Sequence, residues 1–230
     1  MSKKKLVVLS GAGISAESGI STFRDAEGLW EGHDVMEVAS PDGWKNNQDL
    51  VLDFYNQRRR QLLTVTPNKG HQVLAALEQD FDVTIITQNV DNLHQQAGSS
   101  NVIHLHGELL KVRSTINESL IYDWTKDLIT GDKAEDGAQL RPHIVWFGEM
   151  VPMIEVAAKI AAKADIFLVV GTSMAVYPAA GLIDYVHPDV PKFLVDPKLP
   201  EGINHISNLK CISLNGTQGL PLFAEEIKQL

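Results

Sequence analysis

Gln88, Asn89, Asp91 and His106 are the residues of this 230-residue chain best placed to do chemistry. The stretches TQNVDNLHQQAG and VIHLHGE, between Thr87 and Glu108, set them at the ends of two short apolar runs. In open α/β sheets, ligands sit just past the carboxyl ends of strands. An imidazole titrates near neutrality and can take a hydroxyl proton at working pH. A plainer account competes at each position. Asn89 and Asp91 can simply form a turn and cap the next helix, and a strand histidine can be a satisfied structural residue. His104 and His106 flank Leu105 and are expected to face opposite sides, so that only one serves a given cleft. His94 falls in the helix after the turn and is expected to be structural.

Other segments carry weaker signals. GAGISAESG follows an apolar run and opens a helix. Glycines let a backbone approach a pyrophosphate, and helix N-terminal amides favour its charge. The spacing of Gly11, Gly13 and Gly19 departs from the usual dinucleotide fingerprint, so a tight turn explains it equally. No acidic residue closes a second strand, and dehydrogenase logic does not apply. Gly171, Thr172 and Ser173 make another backbone-rich turn in GTSMAVYPAA. Tyr55 and Arg58, three apart in DFYNQRRRQL, share a helix face. With Arg59 and Arg60 beside them they also read as a solvated basic helix end.

These residues need a scaffold. Leu6–Ser10, Phe81–Thr87, Val102–Leu105, Ile166–Val170 and Lys192–Val195 read as buried strands. Asn68–Gln79, Ile154–Ala164 and Leu220–Leu230 read as helices. The alternation predicts an α/β fold, a Rossmann-like doubly wound parallel sheet with a small inserted lobe. The core is assigned to residues 1–32, 66–112 and 149–230 of a single unit. The lobe takes a helical insertion, 33–65, and a polar, irregular one, 113–148. A cleft between lobe and sheet is where a ligand would bind.

Composition narrows the partners. Hydrophobic residues make up 44%, enough for a real core, and the net charge is −9. No long basic run follows the short Lys3-Lys4-Lys5, so nucleic acid is not expected as a main partner. No stretch approaches the length of a membrane span, and the apolar run after MSKKK is too short for a signal peptide. The single cysteine, Cys211, allows no intrachain disulfide and suits a reducing cytoplasm. A cytoplasmic monomer is expected.

Taken together, GAGISAESGISTFRDAEGLW and QNVDNLH followed by HLHGE resemble the sirtuin family, the NAD-dependent protein-lysine deacylases. The resemblance covers almost the whole chain. It implies NAD as cofactor, held by Gly11, Ala12, Gly13, Ile14, Ser15, Phe23, Arg24, Asp25 and Trp30. Gln88 and Asn89 would contact the nicotinamide ribose and ordered water, with Val90 in the same turn, and Asp91 would hold the nicotinamide amide. An amide reader needs a donor and an acceptor, which a carboxylate beside a backbone amide supplies. The resemblance makes His106 the general base and sets Asn89 beside it in catalysis. Gly171, Thr172 and Ser173 would line the adenosine side, with Asp196 and Thr217 near the adenine ribose and base. Many sirtuins carry Asn where this chain has Asp196.

On the substrate side, Val145, Phe147 and Gly148 of VWFGEM match the family strand that pairs with an acylated-lysine protein or peptide. Tyr55 and Arg58 match the subclass that removes negatively charged acyl groups. Arg can hold a terminal carboxylate bidentately, and small Ala39 leaves room for a longer chain. The implied reaction removes acetyl, succinyl and malonyl groups from lysine, releasing nicotinamide and O-acyl-ADP-ribose. Protein ADP-ribosyl transfer, or a non-catalytic NAD-binding sensor, are the alternatives. Most sirtuins also carry four zinc cysteines in the small lobe. Here Ser114 stands where the first would fall, no paired ligands replace it, and zinc is expected to be absent. A mini-core drawn from Ile116, Leu120, Ile121, Tyr122, Trp124, Leu128, Leu140 and Ile144 is expected instead.

Overall fold

The computed structural model describes residues 3–21, 29–30, 32–200 and 202–230. Its strands, in chain order, are β1 (Lys5–Ser10), β2 (Leu29–Trp30), β3 (His33–Asp34), β4 (Asp82–Thr87), β5 (Val102–His104), β6 (Gly107–Ser114), β7 (Ile121–Asp123), β8 (Leu140–Ile144), β9 (Ile166–Val170), β10 (Lys192–Val195) and β11 (Leu209–Ile212). The helices are α1 (Gly13–Ala16), α2 (Val35–Val38), α3 (Pro41–Asn46), α4 (Gln48–Leu62), α5 (Lys69–Ala76), α6 (Leu93–Gln96), α7 (Ile154–Ala161) and α8 (Gly216–Ile227).

Six strands in the order β11-β10-β9-β1-β4-β5 make one parallel sheet. Side chains of β1 alternate between its faces. Leu6 and Val8 enter a core with Leu74 of α5 and Leu220 and Phe223 of α8. Val7 and Leu9 enter a second core with Ala157 and Ala161 of α7. Both faces are dry, which is why the strand reads as an unbroken apolar run. The chain builds outward from β1 through β4 and β5, then returns to build the other side through β9, β10 and β11. That reversal opens a crevice at the carboxyl ends of β1 and β9, where doubly wound sheets take ligands.

The polar stretch that reads as irregular contains a second sheet. β6 pairs antiparallel with β7 and β8, and it begins at Gly107, ahead of residue 113. Leu52 of α4 joins Val112, Leu128, Ala134 and Leu140 in the lobe's own core, flanked by Leu120, Tyr122 and Trp124. Ile116 and Ile121 do not take part: both are exposed, Ile116 at 78%. Ile121 lies on an outer strand whose alternation turns Tyr122 inward instead. Ile144 packs with Tyr55 and Trp146 in a separate cluster between lobe and sheet.

The edge strand β11 escapes a sequence reading because LKCI is short and half polar. α8 starts at Gly216, four residues ahead of the expected Leu220. Its N-cap, Asn215, makes no side-chain bond; the carboxylate of Glu17 takes that part, accepting from the Thr217 amide at 3.1 Å and hydroxyl at 2.6 Å.

Candidate active site

Two loops meet in the crevice. The Gly11 amide donates to the Val170 carbonyl at 3.0 Å, and the Gly13 amide to that of Gly171 at 2.8 Å. A Cβ on Gly13 would lie 2.7 Å from the Gly171 Cα, and Gly171 itself has φ +63°. Gly11 and Gly13 therefore have a nearer reason than pyrophosphate: they let the loop after β1 pack on the loop after β9. α1 is a single turn, and the Ile14 side chain is buried in the sheet core, so only its backbone can face a ligand. Ala12 caps that turn, its carbonyl accepting the Ser15 amide at 3.0 Å.

Beneath the crevice runs a buried polar network. Ser15 Oγ donates to Asp91 Oδ2 at 2.9 Å and accepts from Asn89 Nδ2 at 3.1 Å. The Asn68 amide donates to His71 Nδ1 at 3.3 Å, so the His71 proton sits on Nε2, 3.5 Å from the same Ser15 hydroxyl. One donor and two acceptor sites exhaust a serine oxygen. Asp91 Oδ1 accepts the Leu93 amide at 3.1 Å. Burial pushes the Asp91 carboxyl up, against the pull of those two bonds. Ser10 and Thr87, opposite each other across β1 and β4, bond at 2.9 Å. Ser10 also meets His94 Nε2 at 2.9 Å, and Thr87 Oγ1 accepts the Asn89 amide at 3.0 Å. Gln88 Nε2 reaches Thr172 Oγ1 at 3.2 Å and so spans the crevice to the β9 loop. The turn thus both caps α6 and holds its side chains in the crevice. The sequence offers little sign of Ser10, Thr87, Asn68 or His71. The three-residue spacing of Asn68 and His71 at the start of α5, where they form a capping box, is the one available signal.

His106 Nδ1 lies 3.1 Å from the Gln88 carbonyl, and His104 Nδ1 2.9 Å from that of Asn89. Carbonyls only accept, so each Nδ1 carries the proton. That leaves His106 Nε2 as a lone-pair acceptor, the form a general base requires. Both rings serve the same turn, not opposite sides, because residues two apart in an extended chain share a face. His104 Nε2 is taken by Gln95 at 2.7 Å, so of the two rings only that of His106 could act as a base. Burial lowers the His106 pKa below its usual 6.5, and the Gln88 bond offsets part of that. Gly107 has φ +84°, and a Cβ there would strike the His143 carbonyl, so the residue after the histidine must be glycine.

The segment from Val145 to Met150 is a loop, not the strand its resemblance suggests. β8 ends at Ile144, Gly148 takes φ +89°, and the Glu149 amide turns back to the Trp146 carbonyl at 3.0 Å. Yet the loop is pinned to the site. The Val145 amide donates to the His106 carbonyl and the Phe147 amide to the Ala39 carbonyl, each at 2.9 Å. Ala39, Tyr55 and Trp146 share one buried cluster. Tyr55 is fully buried and Arg58 8% exposed, so α4 does not end here as a solvated basic surface.

With this geometry in place, comparison with known proteins is decisive. The profile of the Sir2 family matches residues 11–178. The chain belongs to the Sir2 family. It is 59% identical over 211 residues to an NAD-dependent protein deacylase of Helicobacter pylori, covering 91% of each chain. A solved Sir2 homologue in complex with NAD superposes with a TM-score of 0.87 at 34% identity, over 99% of this chain and 90% of that one. A Sir2 protein bound to acetylated peptide gives 0.80 at 27% identity, over 98% and 94%. The six-stranded parallel sheet with a separate small antiparallel sheet is the Sir2 architecture.

Within this Sir2 crevice the remaining expected residues vary in position. Thr172 lies at its edge and Ser173, partly exposed, beside it. Val90 joins the turn to the lobe through its carbonyl, which accepts the Leu109 amide at 2.8 Å. Asp196 is buried just after β10 and accepts the Lys198 amide at 2.9 Å. Thr217 is engaged by Glu17. Phe23, Arg24 and Asp25 lie outside the described residues, and Trp30 is described only as the backbone partner of His33.

The Sir2 network also sets an acid limit. Burial lowers the His71 pKa to about 4 and that of His94 well below 6.5. Their rings stack edge to face at 4.9 Å. In the unfolded chain each returns to about 6.5. Between those values the unfolded state binds more protons, so stability is complete above about pH 6.5 and is lost as pH falls toward 4. For His71 alone the loss by pH 5 is about 2 kcal/mol. The urea midpoint of the native chain should fall further between pH 7 and pH 5 than that of His71→Gln; equal falls would refute this.

Proposed function

We propose that the chain is an NAD-dependent protein-lysine deacylase that removes succinyl and malonyl groups as well as acetyl. The observation that carries the reading is the His106 ring. It is fixed by the Gln88 carbonyl with Nε2 left to accept a proton, beside a turn whose Asn89 and Asp91 are already oriented. NAD, when bound, supplies the ribose that receives the acyl group. Asp91 and the amides of its turn would hold the nicotinamide end, and the loops at Gly13 and Thr172 the rest. His106 would take a ribose hydroxyl proton, and Tyr55 and Arg58 would meet the acyl carboxylate. The related complexes with NAD and with acetylated peptide support the NAD and acyl-lysine part of this reading. We also read the protein as a cytoplasmic monomer; among the described residues no helix is long and apolar enough to cross a membrane. Incubation with NAD and a succinyl-lysine peptide should yield nicotinamide and O-succinyl-ADP-ribose by mass. ADP-ribose bound covalently to protein would favour transfer instead, and no product would reduce the site to NAD binding.

The proposal includes a small lobe that stands without zinc. Zinc prefers thiolate and imidazole ligands. Ser114 donates to Asp136 Oδ2 at 2.6 Å and accepts the amides of Ile116 and Asn117 at 3.1 and 3.2 Å, so its proton and lone pairs are engaged. Cys211 belongs to β11 of the other sheet. The residues present do not fit the metal. In its place, the Asn56 amide grips both backbone groups of Leu128, at 2.8 and 2.9 Å, and Arg59 bonds Asn56 Oδ1 at 2.7 Å and the Leu109 carbonyl at 3.2 Å. These contacts and the apolar cluster around Val112 tie the lobe to α4. Metal analysis of tag-free protein should find well under one zinc per chain, and chelator should leave activity and Tm unchanged. Stoichiometric zinc, or inactivation by chelator, would overturn this.

A further inference from the structure

Trp146 has a position that a spacer in a substrate loop does not need. It is 2% exposed, and its indole lies over the Arg141 guanidinium at 3.4 Å. Arg141 is held by the two oxygens of Glu149 at 2.7 and 3.1 Å, and Glu149 also accepts the Trp146 amide at 2.8 Å. The ring is thus clamped between β8 and its own loop. Its Nε1 donates to Tyr55 Oη at 3.0 Å across a buried path. Indole nitrogen can only donate, so the phenol oxygen must accept there, and the phenol's own proton is turned elsewhere. Burial holds that phenol well above its ordinary range despite the Arg58 charge beside it, so Tyr55 keeps the proton it would donate.

We propose that Trp146 is a positioning residue for acyl-group choice: its indole N–H orients the Tyr55 hydroxyl to donate to the terminal carboxylate of a succinyl or malonyl group. This rests on the desuccinylase reading above. Trp146 touches the phenol and acts through it. A succinyl group and a butyryl group both carry four carbons, but only succinyl presents a carboxylate. The discriminating quantity is therefore the ratio of kcat/KM for succinyl- and butyryl-lysine peptides, taken within one variant so that any loss of folded protein cancels.

Trp146→Phe removes the donor and keeps an aromatic ring. It should lower that ratio roughly 3–10-fold, the worth of one ordinary hydrogen bond. In a Tyr55→Phe background the same change should move the ratio by less than about twofold, because there is no hydroxyl left to orient. Should Trp146→Phe not accumulate as folded protein, Trp146→Met also lacks the donor and carries the same expectation. An unchanged ratio, or an equal fall with and without the Tyr55 hydroxyl, overturns the proposal. Arg58→Met separates the two levels. If the native chain desuccinylates and Arg58→Met lowers the ratio while Trp146→Phe does not, the role of Trp146 alone falls. If the native chain removes no succinyl group, the acyl class falls and this proposal with it.

Discussion

Replacing His106 with alanine should lower NAD-dependent deacylation by roughly 10²–10⁴-fold, the usual cost of a positioned base. NAD affinity and fold should be largely retained. The ring is held by one bond, to the Gln88 carbonyl, while the turn keeps its bonds to Ser15, Thr87 and Leu93 without it. Turnover close to that of the native chain would remove His106 from the mechanism. The pH profile offers a second check. Burial lowers the His106 pKa below 6.5, so the neutral, proton-accepting form persists into mild acid. The acid limb of kcat/KM should therefore fall below pH 6.5, and a limb centred at pH 7 or above would contradict a buried base.

Arg58→Met should cut desuccinylation far more than deacetylation. Only the succinyl group presents a carboxylate, so only that substrate loses a charge-assisted hydrogen bond. Such a bond is worth about 1.5–3 kcal/mol, or roughly 10–150-fold in kcat/KM. Arg58 is 8% exposed, one helical turn from Tyr55, with its guanidinium 5.7 Å from the Phe54 ring centre. Methionine fills similar space without charge, which keeps a packing defect from imitating the effect. Kinetics on acetyl and succinyl versions of one peptide decide the matter. Equal losses on both would make Arg58 structural, and the acyl preference would be withdrawn.

Much of the scaffold is legible in the residues themselves. Strands buried on both faces leave continuous apolar runs, and Ile166–Val170 and Lys192–Val195 are read to the residue. The turn at Gln88 is legible for a related reason: polar side chains at the end of a buried strand stand out against it. The antiparallel lobe is not, because β7 and β8 are short and only partly apolar. The Val145–Met150 segment, matched to a strand by resemblance, is a loop in this structure. Its apolar residues serve a cluster between lobe and sheet, where Trp146 is buried without strand pairing.

By itself the sequence determined the doubly wound sheet and the polar Gln88–Asp91 turn, because local patterning carries that information; the choice of His106 over His104 came from the family resemblance. Only the tertiary structure decided why Gly11 and Gly13 are glycines, which nitrogen of His106 is left to accept, and that Ser15, His71 and Asp91 form one network. It also decided that Ser114 is spent on Asp136 and two amides, and that Trp146 meets Tyr55. Each of those facts depends on a contact between atoms far apart in the chain. Such a contact leaves no period, and residue type alone does not choose among the partners each side chain could take.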